Sequence, residues 1–371
     1  MQKIFIIGLY KSGTSWLLKC LGSHPAVAAV AELDLIRAVN GREAKTFNAL
    51  PHDEIIKNIF GQSAFLSLPK SFIDENEAIY KLPAKEMLAI LRECRKIDFK
   101  QERLPIENFI SCLLVSKFQH PVMCHKIAFG GGNSASLGKT ISFDDVEDKY
   151  LINVINAIRA SDNSAMEMMN AIINHIQPMF NDRKVLVLKG ADQVSRFELL
   201  EQWMPHVKKV AIVRDGRDVG ISASHFRSLM REKEAAFVSR DAPVDLRVLL
   251  QGWKSRAQML IDLKDNPNLK IIRYEDLLDN FENSLSDLFA FLGVPTDKKL
   301  VTEIKLRNSF RVVTGRRPGM AAKDILRSGI YGEWTSVLSE KQKMEAWETA
   351  GQQLEAFGYS RDGRLMPLPS C

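Results

Sequence analysis

Cysteine is scarce in this sequence. The 371-residue chain has five, Cys20, Cys94, Cys112, Cys124 and Cys371, odd in number and never spaced as C-x-x-C. That excludes a disulfide framework and a thiolate zinc site, and it makes a reducing compartment the expectation. Histidine is scarce too: there are seven, none in the H-E-x-x-H spacing of a metal centre, so no metal is expected. No stretch reaches the roughly 18 uninterrupted apolar residues of a membrane span. The opening run Ile4-Phe5-Ile6-Ile7 is too short for a secretory signal core. A soluble, cytoplasmic protein with no membrane span is therefore expected. Charge of one sign is also in short supply, with 51 basic against 45 acidic residues for a net +6. Such a balance favours anionic ligands but excludes a nucleic-acid coat protein, and no nucleic-acid partner is expected. Internal repeats are absent, and the composition is that of an ordinary globular chain, not of a disordered, collagenous or coiled-coil one.

What is present begins at once. Ile4–Ile7 reads as a buried strand that runs through a turn rich in glycine and hydroxyl groups into a helix. Leu17, Cys20 and Leu21 have the i, i+3, i+4 spacing of that helix, and Gly22 with Pro25 ends it. In such a turn Gly13 lets successive N–H groups curl inward while the positive helix end faces a bound anion. Lys11 adds a charge, and Thr14 and Ser15 add hydroxyl donors. The pattern Gly8-x4-Gly13 is followed by Thr14 where a Walker A loop has lysine, and the lysine stands earlier, at Lys11. This argues against an ATP or GTP enzyme.

Two later segments repeat the theme. The run ending in Val213-Arg214-Asp215-Gly216-Arg217-Asp218 is an apolar strand closed by a charged turn, and Ser222 follows Arg214 by eight positions. Arginine suits phosphate because its planar fork donates two hydrogen bonds to one anion. A local salt-bridge cluster is the plainer reading of the same residues. Near the end, Arg327-Ser328-Gly329 lies in a glycine-containing loop with Arg316, Arg317 and Lys323 close by, as a flap around a polyanion would.

Taken in this order, the three segments resemble the sulfotransferase family, whose members use 3′-phosphoadenosine 5′-phosphosulfate (PAPS) as co-substrate. Lys11-Ser12-Gly13-Thr14-Ser15-Trp16 is similar to the loop that holds the donor's 5′-phosphosulfate. Arg214 and Ser222 stand at the spacing of the family's 3′-phosphate ligands. Arg327-Ser328-Gly329 is similar to its late Arg-Lys-Gly loop, with Ser328 in place of the lysine. Ile272-Arg273-Tyr274-Glu275-Asp276-Leu277 and Phe291-Leu-Gly-Val-Pro295 match a family strand and a following helix end. Cytosolic aryl and steroid members use a histidine two positions after a strand-end lysine, but here Lys189 is followed at that place by Ala191. Tyrosylprotein and heparan-type members use a glutamate after a His-Pro turn. Here that turn is His24-Pro25, with Glu32 eight positions past the histidine. The resemblance thus implies the glutamate branch, with Glu32 as base and Lys11 and Lys189 on the transferring group. The acceptor it implies is a hydroxyl or amine, of a carbohydrate, a peptide or a small molecule. His125 and Lys126, beside Gly130-Gly131-Gly132, are candidate acceptor-site residues, with His125 a rival base or simply structural.

The remaining patterns fit an α/β fold of the P-loop, sulfotransferase-like kind: a parallel sheet with flanking helices and a large, mainly helical insertion. Strands are expected at 185–188, 209–213 and 269–273, with a helix over 245–264. Residues 1–34 and 181–371 form the expected PAPS-binding core, and 35–180 an acceptor-binding or lid insertion with helices over 144–159 and 163–176. Lys11, Lys189 and Arg214 each follow a strand, so they gather at one edge of the sheet. Two other functions share these features: a P-loop kinase with a displaced lysine, and a nucleotide-binding module without catalysis.

Overall fold

The structure, a computed structural model, describes residues 1–30, 83–86, 88–89, 147–160, 173–174, 177–180, 182–189, 194, 197–232, 245–322 and 326–368. The chain divides into two compact units, one of Met1 with Ala28–Leu186 and one of Gln2–Val27 with Val187–Cys371. In chain order the elements are β1 (Gln2–Ile6), α1 (Thr14–Gly22), β2 (Val27–Val30), α2 (Asp148–Ala160) and β3 (Val185–Lys189). Then come α3 (Phe197–Trp203), β4 (Lys208–Val213), α4 (Gly216–Glu232), α5 (Leu246–Asp262) and β5 (Leu269–Arg273). The chain closes with α6 (Tyr274–Asp279), α7 (Phe281–Leu292), α8 (Lys298–Arg307), α9 (Phe310–Thr314), α10 (Trp334–Val337) and α11 (Glu340–Ala356).

The strands form a five-stranded sheet in the order β2-β3-β1-β4-β5. β1 and β4 run parallel with Ile6 opposite Val210, and β4 and β5 run parallel with Val213 opposite Arg273. β4 is a continuous apolar run because both its faces are covered: Val210, Ala211, Ile212 and Val213 are all fully buried. A sheet whose order reverses about β1 places ligands outside the carboxyl ends of its central strands. The chain leaves those ends at Ile7, Lys189 and Arg214.

Helices α5 and α11 pack against each other in the second unit. On α5 the buried residues are Leu250, Trp253, Ala257 and Leu260, one stripe at helical period. Asp245 caps this helix by accepting from the Arg247 amide, and Ser339 with Gln342 forms a reciprocal capping box on α11. On α7, Leu285, Leu288, Phe289 and Leu292 are fully buried, each contributing about 1.5–3 kcal/mol relative to exposure.

In the first unit, α2 covers residues 148–160, with Leu151 buried and Asp148 in its first turn. The expected helix over 163–176 falls almost wholly outside the described residues, as do most of 35–146. Among the described residues, no helix is long and apolar enough to cross a membrane.

Candidate active site

The turn after β1 carries the first half of the site. Ile7 and Leu9 continue the ladder to β4 through bonds to the Val210 and Ile212 carbonyls. The chain then curls: Lys11 adopts a left-handed φ of 62°, a conformation that costs a non-glycine residue about 1 kcal/mol. Gly13 takes φ 92°, and a β-carbon there would stand 2.6 Å from the Tyr274 ring, so only glycine fits. Helix α1 starts on Gly13 with no side-chain cap and no acidic residue in its first turn. Its leading amides keep the partial positive charge that attracts an anion.

Side chains converge on this turn. Lys189, at the end of β3 and only 3% exposed, donates to Ser15 Oγ at 2.9 Å. Lys11 Nζ lies 4.4 Å from the centre of the Phe226 ring on α4. Ser12 is fully buried, and its Oγ is without a hydrogen-bond partner among the described residues.

The turn after β4 carries the second half. Arg214 is 8% exposed. Its Nη2 donates to the Ile330 carbonyl at 2.9 Å and lies 3.9 Å from Asp218 Oδ2, and its guanidinium sits 4.7 Å over the Tyr274 ring. Its Nε is buried and has no hydrogen-bond partner among the described residues. Asp218, Ser222 and Phe226 are spaced four apart on α4 and so share one stripe. Arg214 meets this stripe at Asp218 and Lys11 meets it at Phe226, with half-buried Ser222 one turn from each. Asp218 and Phe226 are separated by about 12 Å of helix rise.

The salt-bridge reading of this turn is realised alongside. Arg217, 1% exposed, pairs with Asp215 at 2.7 Å, donates to the Ser360 carbonyl and stacks 3.6 Å from the Trp334 ring. Arg217 thus ties the carboxyl-terminal segment to the turn, whereas Arg214 reaches the late loop. Glu275 completes the support by accepting from the Asp215 amide at 3.1 Å and the Tyr359 hydroxyl at 2.8 Å. Burial pushes its carboxyl up to about 7, against the opposing pull of the Asp215 amide.

The late loop also reaches this place. Arg327 and Ser328 both donate to Glu333 Oε2, the serine at 2.7 Å. Gly329 takes φ 68°, and a β-carbon there would strike the Phe310 ring at 2.3 Å. Arg316 binds the Met320 and Arg327 carbonyls and holds the loop closed on itself. Trp16 is occupied in packing: its Nε1 donates to the Asn308 carbonyl, and its ring meets Tyr274 edge-on at 5.7 Å. His24 is buried, with Nδ1 accepting from the Ala26 amide and Nε2 3.0 Å from the Pro295 carbonyl, so it braces the turn before β2. Glu32, His125 and Lys126 lie outside the described residues.

Sequence reasoning did not single out Tyr274 or Glu333 as site residues. Tyr274 stood within a matched segment, but only the fold shows that one ring touches Gly13, Trp16 and Arg214. Among the described residues, no group of three His, Cys, Asp or Glu side chains is placed to hold a metal ion.

The fold is a parallel α/β core in which Lys11, Lys189 and Arg214 stand just past the ends of its strands. Residues 196–358 match the family described as the sulfotransferase domain. Sulfotransferase 6B1 of Pan troglodytes is 25% identical over 147 residues, which is 37% of this chain and 48% of that protein. The chain thus spans about half the length of the curated relatives it matches. Among solved structures, the sulfotransferase domain of the Synechococcus PCC 7002 olefin synthase aligns at a TM-score of 0.43 and 15% identity, covering 95% of this chain and 94% of its own. Sulfotransferase STF9 from Mycobacterium avium aligns at 0.43 and 13%, covering 98% and 78%.

Proposed function

We propose that this protein transfers a sulfuryl group from PAPS to a hydroxyl or amine of an acceptor. The observation that carries the reading is the gathering of Lys11, Lys189 and Arg214 just past the strand ends of one unit, beside the uncapped start of α1. A ligand with phosphate groups at both ends of an adenosine matches cations set at two neighbouring strand ends. PAPS supplies the activated sulfuryl group. The residues of this chain bind it, screen its charge and move one proton.

Arg214 and Ser222 take the 3′-phosphate, with the loop bearing Arg327, Ser328 and Gly329 beside them. Lys11, the hydroxyls of Ser12, Thr14 and Ser15, and the amides that open α1 take the 5′ end. As the sulfur–oxygen bond to the donor breaks, charge gathers on the bridging oxygen, and Lys11 and Lys189 stabilise it by several kcal/mol. Glu32 accepts the proton of the attacking hydroxyl as the new sulfur–oxygen bond forms. No metal takes part in this scheme. Carbohydrate and peptide acceptors fit the glutamate-branch resemblance best, with residues 35–180, including His125 and Lys126, shaping the acceptor pocket.

The test is transfer itself. The purified protein is incubated with sulfur-labelled PAPS and fractionated cell extracts, and labelled products are identified by mass spectrometry. A sulfated carbohydrate or peptide, absent with Lys189→Ala, is the expected result. Magnesium-dependent phosphorylation from ATP, with no label moved from PAPS, would favour a kinase instead.

A further inference from the structure

Arg214 is not held by its own turn alone. Its Nη2 is fixed by the Ile330 carbonyl, which belongs to the late loop more than a hundred positions away in sequence. The loop in turn is held by Asp218: Oδ2 accepts from the Gly332 amide at 2.5 Å and Oδ1 accepts from the Trp334 amide at 3.1 Å. Asp218 is 1% exposed and stands 3.9 Å from Arg214. Gly332 takes φ 78°, and Trp334 is buried beneath the Arg217 guanidinium.

A carboxylate here is at first sight misplaced. Two opposite charges about 4 Å apart attract by roughly 4 kcal/mol at the effective dielectric of a protein surface. By the same measure Asp218 repels any anion that Arg214 receives. Burial also raises its pKa, a pull that Arg214 and the two amides oppose. A buried charge is retained at such a place when it satisfies donors that nothing else reaches, and here it serves two backbone amides and a guanidinium together.

We propose that Asp218 is a positioning residue that makes the site selective for a 3′-phosphate. By clasping Gly332 and Trp334 it fixes the Ile330 carbonyl, and that carbonyl fixes the plane of Arg214. The contribution of Asp218 to recognition therefore passes through Arg214 and the loop and not through contact with the ligand. This inference rests on the proposed function, because it presumes a donor that carries a 3′-phosphate.

Asp218→Asn keeps the volume but supplies one acceptor oxygen where two amides need one each. Calorimetry with 3′-phosphoadenosine 5′-phosphate (PAP) and with adenosine 5′-phosphate reads the two ends of the site separately. Loss of one charge-assisted bond predicts a fall of about tenfold to a hundredfold in the ratio of the two affinities. Adenosine 5′-phosphate should bind as before, which also reports that the variant is folded. Added to Arg214→Ala, the change should alter PAP affinity by no more than about twofold, the scatter expected of uncoupled sites. A ratio unchanged in Asp218→Asn overturns the inference while leaving the proposed function standing. So does an equal loss of both nucleotides, or a full effect in the Arg214→Ala background. A wild-type protein with no preference for PAP overturns both.

Discussion

The guanidinium of Arg214 lies 4.7 Å over the ring of Tyr274, and the same ring lies against Gly13 at the foot of α1. One aromatic side chain, from the start of α6, thus spans the two halves of the candidate site. It fills the space that a β-carbon at position 13 would need, and it offers its π-face to the arginine.

Removing the ring should therefore loosen Arg214. A cation–π contact that is largely buried is worth up to about 2 kcal/mol, so Tyr274→Leu should weaken PAP binding by about tenfold. Tyr274→Phe keeps the ring and should bind within about twofold of wild type. Calorimetric titration of both variants checks this, and equal affinity for all three proteins would deny the ring its role.

Lys189 should matter to the rate more than to binding. Its Nζ is 2.9 Å from Ser15 Oγ, at the loop where the proposed transfer would gather charge. Loss of one such electrostatic group lowers turnover by about a hundredfold to a thousandfold. Lys189→Ala should show that fall in kcat with PAP affinity changed far less. A loss confined to affinity would assign Lys189 to binding alone.

Much of the architecture is legible in the sequence because parallel strands buried on both faces leave short apolar runs. The strand expected at 209–213 is β4 at Lys208–Val213, and the helix expected over 245–264 is α5 at Leu246–Asp262. The turns that hold Lys11, Lys189 and Arg214 were readable for the same reason, since each ends such a run. Glu333 was not. Its pairing with Arg327 and Ser328 depends on a loop folding back over six positions, which no periodicity encodes. Nor was Tyr274, whose contacts reach Gly13 and Arg214 across more than two hundred and across sixty positions of chain. Trp16, read as a donor-binding residue, is seen packing against Tyr274 and Phe281 because its indole is large enough to bridge α1 to α6 and α7.

Glu275 should imprint a pH dependence on stability. Its carboxyl is pushed up to about 7 in the folded protein from an ordinary 4.5, chiefly by burial. The folded state then holds the proton more tightly than the unfolded one. Its contribution is complete below about pH 4.5, declines as pH rises, and is lost above about pH 7, a total of about 3 kcal/mol. Urea unfolding between these limits should show stability falling with pH, and Glu275→Gln should flatten that slope. An unchanged slope in the variant would place the titration elsewhere.

Glu32→Gln should leave PAP binding as it is and lower kcat by about a hundredfold to ten-thousandfold, the ordinary worth of a general base. Steady-state kinetics with any confirmed acceptor decides this. Turnover at the wild-type rate would pass the role of base to another residue, His125 being the rival.

The proposed function has the strand-end cations grip a nucleotide phosphorylated at both ends. Its most direct measurement is calorimetric binding of PAP and ATP to the wild-type protein and to Arg214→Ala. Wild type should prefer PAP, and Arg214→Ala should abolish that preference. ATP bound as tightly as PAP, or a preference that survives the loss of Arg214, would contradict it.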